Sequence, residues 1–460
     1  HRDLHSFPTR RSSDLIDANE VCSGVTANTT AKISSQHGLI YAKLVQGMGE
    51  AAAAEYAHAN EEAIKMYREI IRSEQINCDF NVCNAWLYTT SEDKLQDIQD
   101  EVKATQKLGI DAVYEITTEL PLDVKGAIKF PNQAYFHPLK FAYRICNILS
   151  KAGCKIYTRT KATSAEEGIV HTDRGRIHAE NIISCSHYPF IDKHSLLFTK
   201  LYQERSYVLA LKEVKVIRDM YLDCADGGFS FRPQKDENNE DMILFGAYDH
   251  KSGHENKKVH FNNLINDSKQ CYPNASVAYM WSAQDCMTHD SIPYIGRYKN
   301  AGENFYIATG FNKWGMTSSM VAADIISDLI TKGTGNNDSV FALDRKDIGL
   351  QAKSFVKETV DIVGNFLTHL KKADERLHSI ENNQGGIIDV EGKRVGVYKD
   401  NNGKLYAVRP VCTHMGCALK WNKDENTWDC TCHGSRFDYM GNVIGGPAIK
   451  NLERLKIDEM

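Results

Sequence analysis

At 460 residues the chain has room for about three domains, each with a sizeable core. Its 55 basic and 60 acidic residues leave a net charge of −5, which offers no bulk attraction to nucleic acid or to an anionic membrane. No apolar run approaches the roughly 18 residues that a membrane-spanning helix needs.

Residues 1–15 are basic and Ser-rich and show no apolar periodicity. They read as a non-native scar; an Arg- and Ser-rich transit peptide fits less well, because Asp3 and Asp14 interrupt it. A strand end follows at Ile16-Asp17-Ala18, then a Gly/Thr-rich turn over 23–31. Apolar spacing of three and four predicts helices over 41–73 and 93–108. Ile156-Tyr157, Ile177 and Ile182-Ile183 read as short strands of a second dinucleotide-type unit. Alternating segments at 207–211, 221–222, 229–232 and 242–248 predict an antiparallel sheet whose Tyr and Phe residues belong to the core. Asp290, Pro293 and Gly296 mark a structural turn, and a buried strand at 305–309 runs through Gly310 into a helix over about 316–332. Residues 334–382 read as a linker containing an amphipathic helix at 356–370, and a last module occupies 383–460. The 13 cysteines are an odd number, and the nine outside that module are scattered, as in a cytoplasmic protein with reduced thiols.

The module carries the sharpest signal. Cys412 and His414 form a C-x-H pair, Cys430 and His433 a C-x-x-H pair, and Cys417 and Cys432 accompany them. In a two-iron cluster, thiolates suit one iron, while neutral imidazoles on the other remove negative charge and raise the potential. A structural zinc ion also accepts two Cys and two His, although such sites usually pair Cys with Cys and His with His. With Gly434-Ser435 and Gly445-Gly446-Pro447-Ala448, the pattern resembles a Rieske [2Fe-2S] domain of the disulfide-bearing kind in respiratory and photosynthetic cytochrome complexes. The resemblance implies Cys412, His414, Cys430 and His433 as ligands and a Cys417–Cys432 disulfide over the cluster. It also implies that the Ser435 hydroxyl donates to a bridging sulfide. High-potential members have a Tyr two residues after that serine; Phe437 here implies a lower potential.

Upstream, Asp17, the Gly/Thr turn and the late strand–Gly–helix resemble the glycine/D-amino-acid-oxidase-like FAD-dependent oxidoreductases over about 16–333. The resemblance extends to members fused to a C-terminal Rieske domain. It implies an α/β plus all-β chain: a Rossmann-like FAD domain with an antiparallel-sheet substrate domain, then a small β-sandwich-like Rieske domain. Asp17 takes the position whose carboxylate accepts the ribose hydroxyls. Ser23, Gly24, Thr26 and Thr30 match the loop near pyrophosphate and flavin, and Ala162 meets the adenine. Gly310, Gly315, Met316 and Thr317 match the segment whose helix N-terminus faces the flavin carbonyls. The G-x-G-x-x-G loop expected about twenty residues before Asp17 is absent. The chain therefore reads as a fragment lacking the first βα unit, expected to bind FAD poorly.

Flavin oxidation of a C–N bond needs no obligatory acid–base pair. By family position His37, Arg232, His250, Lys313 and Trp314 are the catalytic candidates, with Arg232 holding a substrate carboxylate and Trp314 walling the pocket. The implied activity takes electrons from a small amine or amino-acid-like donor through FAD to the cluster. From there they pass to an acceptor protein or quinone, as a dehydrogenase rather than an oxidase. Reverse flow, or a module that only senses redox state, is the alternative.

Overall fold

The computed structural model describes residues 13–191, 197–254, 260–333, 339–345 and 380–456. The amphipathic helix expected at 356–370 lies outside them. Among the described residues the chain is α/β followed by an all-β module.

A nine-stranded mixed sheet dominates. From one edge its strands are Ser276–Thr288, Leu201–Lys212, Asp241–Lys251, Ser230–Lys235, Met220–Asp223, Asn81–Thr89, Gly126–Tyr135 and Lys32–Ile33, with Val113–Glu115 also pairing with Gly126–Tyr135. Period-two alternation in Leu201–Lys212 puts Tyr207, Leu209 and Leu211 into one core and Val208 and Ala210 into another. Both faces are therefore covered. The strands Asn81–Thr89, Gly126–Tyr135 and Ser276–Thr288 carry little alternation that a sequence reading can isolate, because they are buried in parts and exposed in others.

The unit expected to bind the dinucleotide consists of two pieces. Asp14–Ile16 pairs in parallel with Lys155–Tyr157, and Ile182–Ser184 pairs in parallel with Phe305–Thr309, which also meets Tyr294–Arg297. Among the described residues no strand joins them. The helix Gly315–Lys332 packs on Glu50–Ser73 beside this unit. Gly49, at φ +87, breaks the long apolar pattern into Ile40–Met48 and Glu50–Ser73. Asp290, in the structural turn, forms a buried bidentate pair with Arg345 that fixes the chain after Gly315–Lys332.

The C-terminal module has two four-stranded antiparallel sheets. One is Gln384–Val390, Lys393–Lys399, Leu405–Val408 and Arg454–Leu455; the other is Leu419–Asn422, Thr427–Cys430, Arg436–Asp438 and Val443–Gly445. Trp428, Leu419 and Phe437 are fully buried at its centre, packed against the cysteines.

Candidate functional site

Two loops at one end of the module are built alike. The Cys412 N–H donates to the Cys417 carbonyl at 2.8 Å, and the Cys430 N–H to the Ser435 carbonyl at 2.8 Å. Gly416 and Gly434, at φ +79 and +69, return an N–H to the carbonyls of Cys412 and Cys430. This geometry brings the four expected ligands together. The His414 and His433 rings meet at right angles with centroids 5.2 Å apart. The Cys412 and Cys430 thiols are in hydrogen-bond contact, which holds Cys412 down to about 7 and pushes Cys430 up. Cys417 and Cys432 form a disulfide beside Cys430.

The donor set fits a metal cluster. His433 is 2% exposed, and neither ring nitrogen has a hydrogen-bond partner among the described residues. Burial, then the neighbouring His414, push its pKa down to about 3, so the imidazole is neutral and offers a lone pair. A buried polar ring left unpaired is costly unless something binds it. Ser435 is buried, accepts the Ala448 N–H at 3.0 Å and touches the Cys412 thiol.

These loops do not face solvent alone. The Gln203 side-chain amide donates to the His433 and Gly446 carbonyls at 2.7 and 2.8 Å. That of Gln284 donates to the Gly434 carbonyl at 2.8 Å, and the His254 ring bonds the Thr431 carbonyl at 2.8 Å. Phe198 meets the His433 ring edge-on at 5.5 Å. The turn between Leu419–Asn422 and Thr427–Cys430 reaches into the same surface, where Glu425 pairs with buried Arg205 and Asp424 lies 3.1 Å from His260. A cavity of about 730 Å3 lies alongside, lined by Ser23, Gly24 and Asn28, by His187 and Trp281, and by Gly445-Gly446 of the module.

Of the expected FAD residues, Ser23 and Gly24 line this cavity. Asp17 follows the strand Asp14–Ile16 and accepts the Asn19 N–H at 2.8 Å, while its backbone bonds Tyr157 and Thr160. Gly24 caps the short helix Val25–Asn28, which contains Thr26; Thr30 follows it, and Ser23 donates to the Glu20 carbonyl. Ala162 opens the strand Ala162–Glu166. Gly310, at φ +68, has no room for a Cβ beside Thr288. Gly315 and Met316 begin the helix Gly315–Lys332, whose first N–H groups lack intrahelical acceptors. Thr317 is buried and exchanges hydrogen bonds with both backbone groups of Ser34. At Gly24 and Gly315 a Cβ would meet nothing within 4 Å, so both approaches leave room for a ligand.

Two of the catalytic candidates, Arg232 and His250, lie on opposite faces of the large sheet. Arg232, 2% exposed, donates to the Phe136 carbonyl at 2.9 Å and to Gln234 at 2.8 Å and lies over the Tyr135 ring. It has no carboxylate partner among the described residues, and burial pushes its pKa down to about 10. Lys32 is beside it; burial and then Arg232 push the ammonium down to about 7. Lys313 bridges Glu204, at 2.9 Å, and Asp249; burial opposes its charge, but these carboxylates hold its pKa well above the ordinary value. Trp314 stacks on buried His37 at 4.5 Å, and His37 bonds the Tyr56 hydroxyl and the Ser34 carbonyl. His250 lies on the opposite face from Arg232, stacked on Tyr207 and His260. Gln203, Gln284, His254 and Lys32 were not legible beforehand. For Gln203 the signal was a polar residue at an inward position of an alternating strand.

The family model for FAD dependent oxidoreductases (DAO) matches residues 9–329, and that for the Rieske [2Fe-2S] domain matches 373–456. The chain is 37% identical over 451 residues to the Rieske 2Fe-2S iron-sulfur protein YhfW of Bacillus subtilis, covering 96% of this chain and 88% of that one. Over 47 residues it is 51% identical to the cytochrome b6-f complex iron-sulfur subunit 1 of a Nostoc species, 10% of this chain and 26% of that one. Among solved structures, glycine oxidase from Geobacillus kaustophilus superposes with a TM-score of 0.59 at 15% identity, covering 73% of this chain and 93% of that one. L-proline dehydrogenase from P. horikoshii gives 0.57 at 14%, covering 72% and 97%. These two show the fold alone. No helix among the described residues is long and apolar enough to cross a membrane. The chain belongs to the DAO family of FAD-dependent oxidoreductases and carries a C-terminal Rieske domain, and with them FAD and a [2Fe-2S] cluster as its cofactors.

Proposed function

We propose that the chain oxidises a small amino-acid-like donor at its FAD domain and delivers the electrons to its own Rieske cluster, for an external protein or quinone acceptor. One observation carries this reading: the loop bearing His433 is hydrogen-bonded to the FAD-domain sheet beside a cavity lined by both the nucleotide loop and the module. When bound, FAD supplies a two-electron acceptor able to pass electrons singly, and the cluster supplies a one-electron carrier. That pairing favours a dehydrogenase over an oxidase.

Arg232 is buried without a carboxylate partner among the described residues, and half-buried Lys32 beside it bonds Ser230 and is attracted by Asp249. A donor carboxylate supplies the missing counter-charge, and Arg232 offers the fork geometry for it. Glu204 and Asp249 around Lys313, with Asp285 raised to about 7 by burial, put acidic groups near the same cations and suit a donor amine. The cysteines outside the module are free thiols, which supports a cytoplasmic setting.

The test is anaerobic addition of amines and amino acids to flavin- and iron-loaded protein, followed by electron paramagnetic resonance. The reading expects flavin bleaching and a Rieske signal that appears on adding the donor alone. A bleached flavin beside an oxidised cluster ends it, as does a module that holds zinc. Arg232→Leu is expected to weaken a carboxylated donor by about 100-fold in kcat/KM and to spare one lacking the carboxylate.

A further inference from the structure

We propose that Gln203 and Gln284, with His254, are positioning residues. They hold the His433 loop against the sheet in one pose, so that His433, one of the residues that would hold the cluster, faces the FAD domain. This deepens the electron-transfer reading above and rests on it only for its purpose, not for its geometry.

The donors of Gln203, Gln284 and His254 each meet a backbone carbonyl of the module: Thr431, His433, Gly434 and Gly446. The contact therefore reads where the loop backbone lies. An apolar interface tolerates sliding, whereas a buried amide displaced from its carbonyl loses its partner and gains no water. Gln284 also donates to Gln203 and accepts from Ser252 and Arg205, so the two amides are themselves fixed. Two glycines fit the surfaces together. A Cβ on Gly253, at φ +74, would lie 2.7 Å from the Cys430 carbonyl, and one on Gly434, at φ +69, 2.8 Å from Gln203. The result is asymmetric. His433 is 2% exposed, whereas His414 is half-buried beside Met415, which is 48% exposed.

The experiment uses the full-length, cofactor-loaded protein. Gln203→Glu with Gln284→Glu keeps side-chain size but removes the amide donors and sets carboxylates against carbonyls. Gly253→Ala opens the same contact sterically. Dithionite-reduced electron paramagnetic resonance reports whether the cluster is intact, and deuterium exchange of residues 430–435 reports docking. The expected result is an unchanged resonance signal with exchange about tenfold faster or more in both variants, the equivalent of one good hydrogen bond. Exchange within twofold of the parent in a variant with an intact signal overturns the proposal. If the double variant loses its signal, Gln284→Glu alone, which removes the donor to the Gly434 carbonyl, decides by the same criterion. Loss of the signal in every variant overturns it too, assigning these residues to cluster assembly. Failure of donor electrons to reach the parent cluster would sink the electron-transfer reading while leaving the exchange result standing.

Discussion

The Gln203 side-chain amide donates to the His433 backbone carbonyl at 2.7 Å, joining residues 230 positions apart. Gln203 belongs to the strand Leu201–Lys212, which also carries Arg205, the partner of Glu425 in the module. One strand thus contacts both the second cluster loop and the acidic turn. Arg232, on the strand Ser230–Lys235 beyond Asp241–Lys251, points to the sheet's other face, beside Lys32.

The Arg205–Glu425 pair is the first point to test. Arg205 is 2% exposed, and Glu425 also accepts from Ser282 and pairs with Arg436 at 3.0 Å. Removing the carboxylate leaves a buried guanidinium without its counter-charge, which costs about 3 kcal/mol. Glu425→Ala is expected to lower the denaturant midpoint accordingly, and Arg205→Met with Glu425→Leu to recover most of the loss. Equal stability of Glu425→Ala and parent would show that the pair contributes nothing.

Phe437 gives a prediction about potential. It is fully buried against the cysteines, on the strand Arg436–Asp438 that follows Ser435. A hydroxyl there that reaches a ligand thiolate stabilises the reduced cluster. Phe437→Tyr is expected to raise the midpoint potential by about 60 mV, the one-electron equivalent of about 1.4 kcal/mol. A titration followed by electron paramagnetic resonance measures it, and an unchanged or lower potential contradicts the reasoning.

Glu101 gives a prediction about pH. Its buried carboxylate accepts the N–H groups of Tyr41 and Ala42, at 2.9 and 2.8 Å, at the start of the helix Ile40–Met48. Burial raises its pKa from 4.5 to about 7, with those N–H groups opposing the shift. The folded state therefore binds more protons than the unfolded state between these values. Its contribution is fully present below about pH 4.5 and is lost as pH rises through about 7. The melting temperature of the parent minus that of Glu101→Gln is expected to fall across this window. A difference that rises with pH would reverse the sign of the argument.

Much of the fold was legible because its signals are short-range. The apolar spacing at 41–73 and 93–108 appears as the helices Ile40–Met48, Glu50–Ser73 and Leu95–Lys107, and the alternation at 207–211 and 242–248 as paired strands. Asn81–Thr89 and Gly126–Tyr135 escaped, because neither keeps one face buried along its length. Gln203 and Gln284 escaped for a different reason. A lone glutamine in a strand has no periodicity, and its partner carbonyls lie in another domain.

By itself the sequence determined the chemistry of the tail. Cys412 with His414 and Cys430 with His433 sit two and three residues apart, so each pair is presented by one loop whatever surrounds it. The family of the larger domain was legible as a resemblance, carried by Asp17, the Gly/Thr turn and the late strand–Gly–helix. Only the tertiary structure decided that the His433 loop lies against the sheet, that Arg232 and Lys32 meet, and that His250 and Arg232 occupy opposite faces. Those relationships depend on strand register and on buried amides finding carbonyls hundreds of residues away. No local pattern of residue types encodes such pairings.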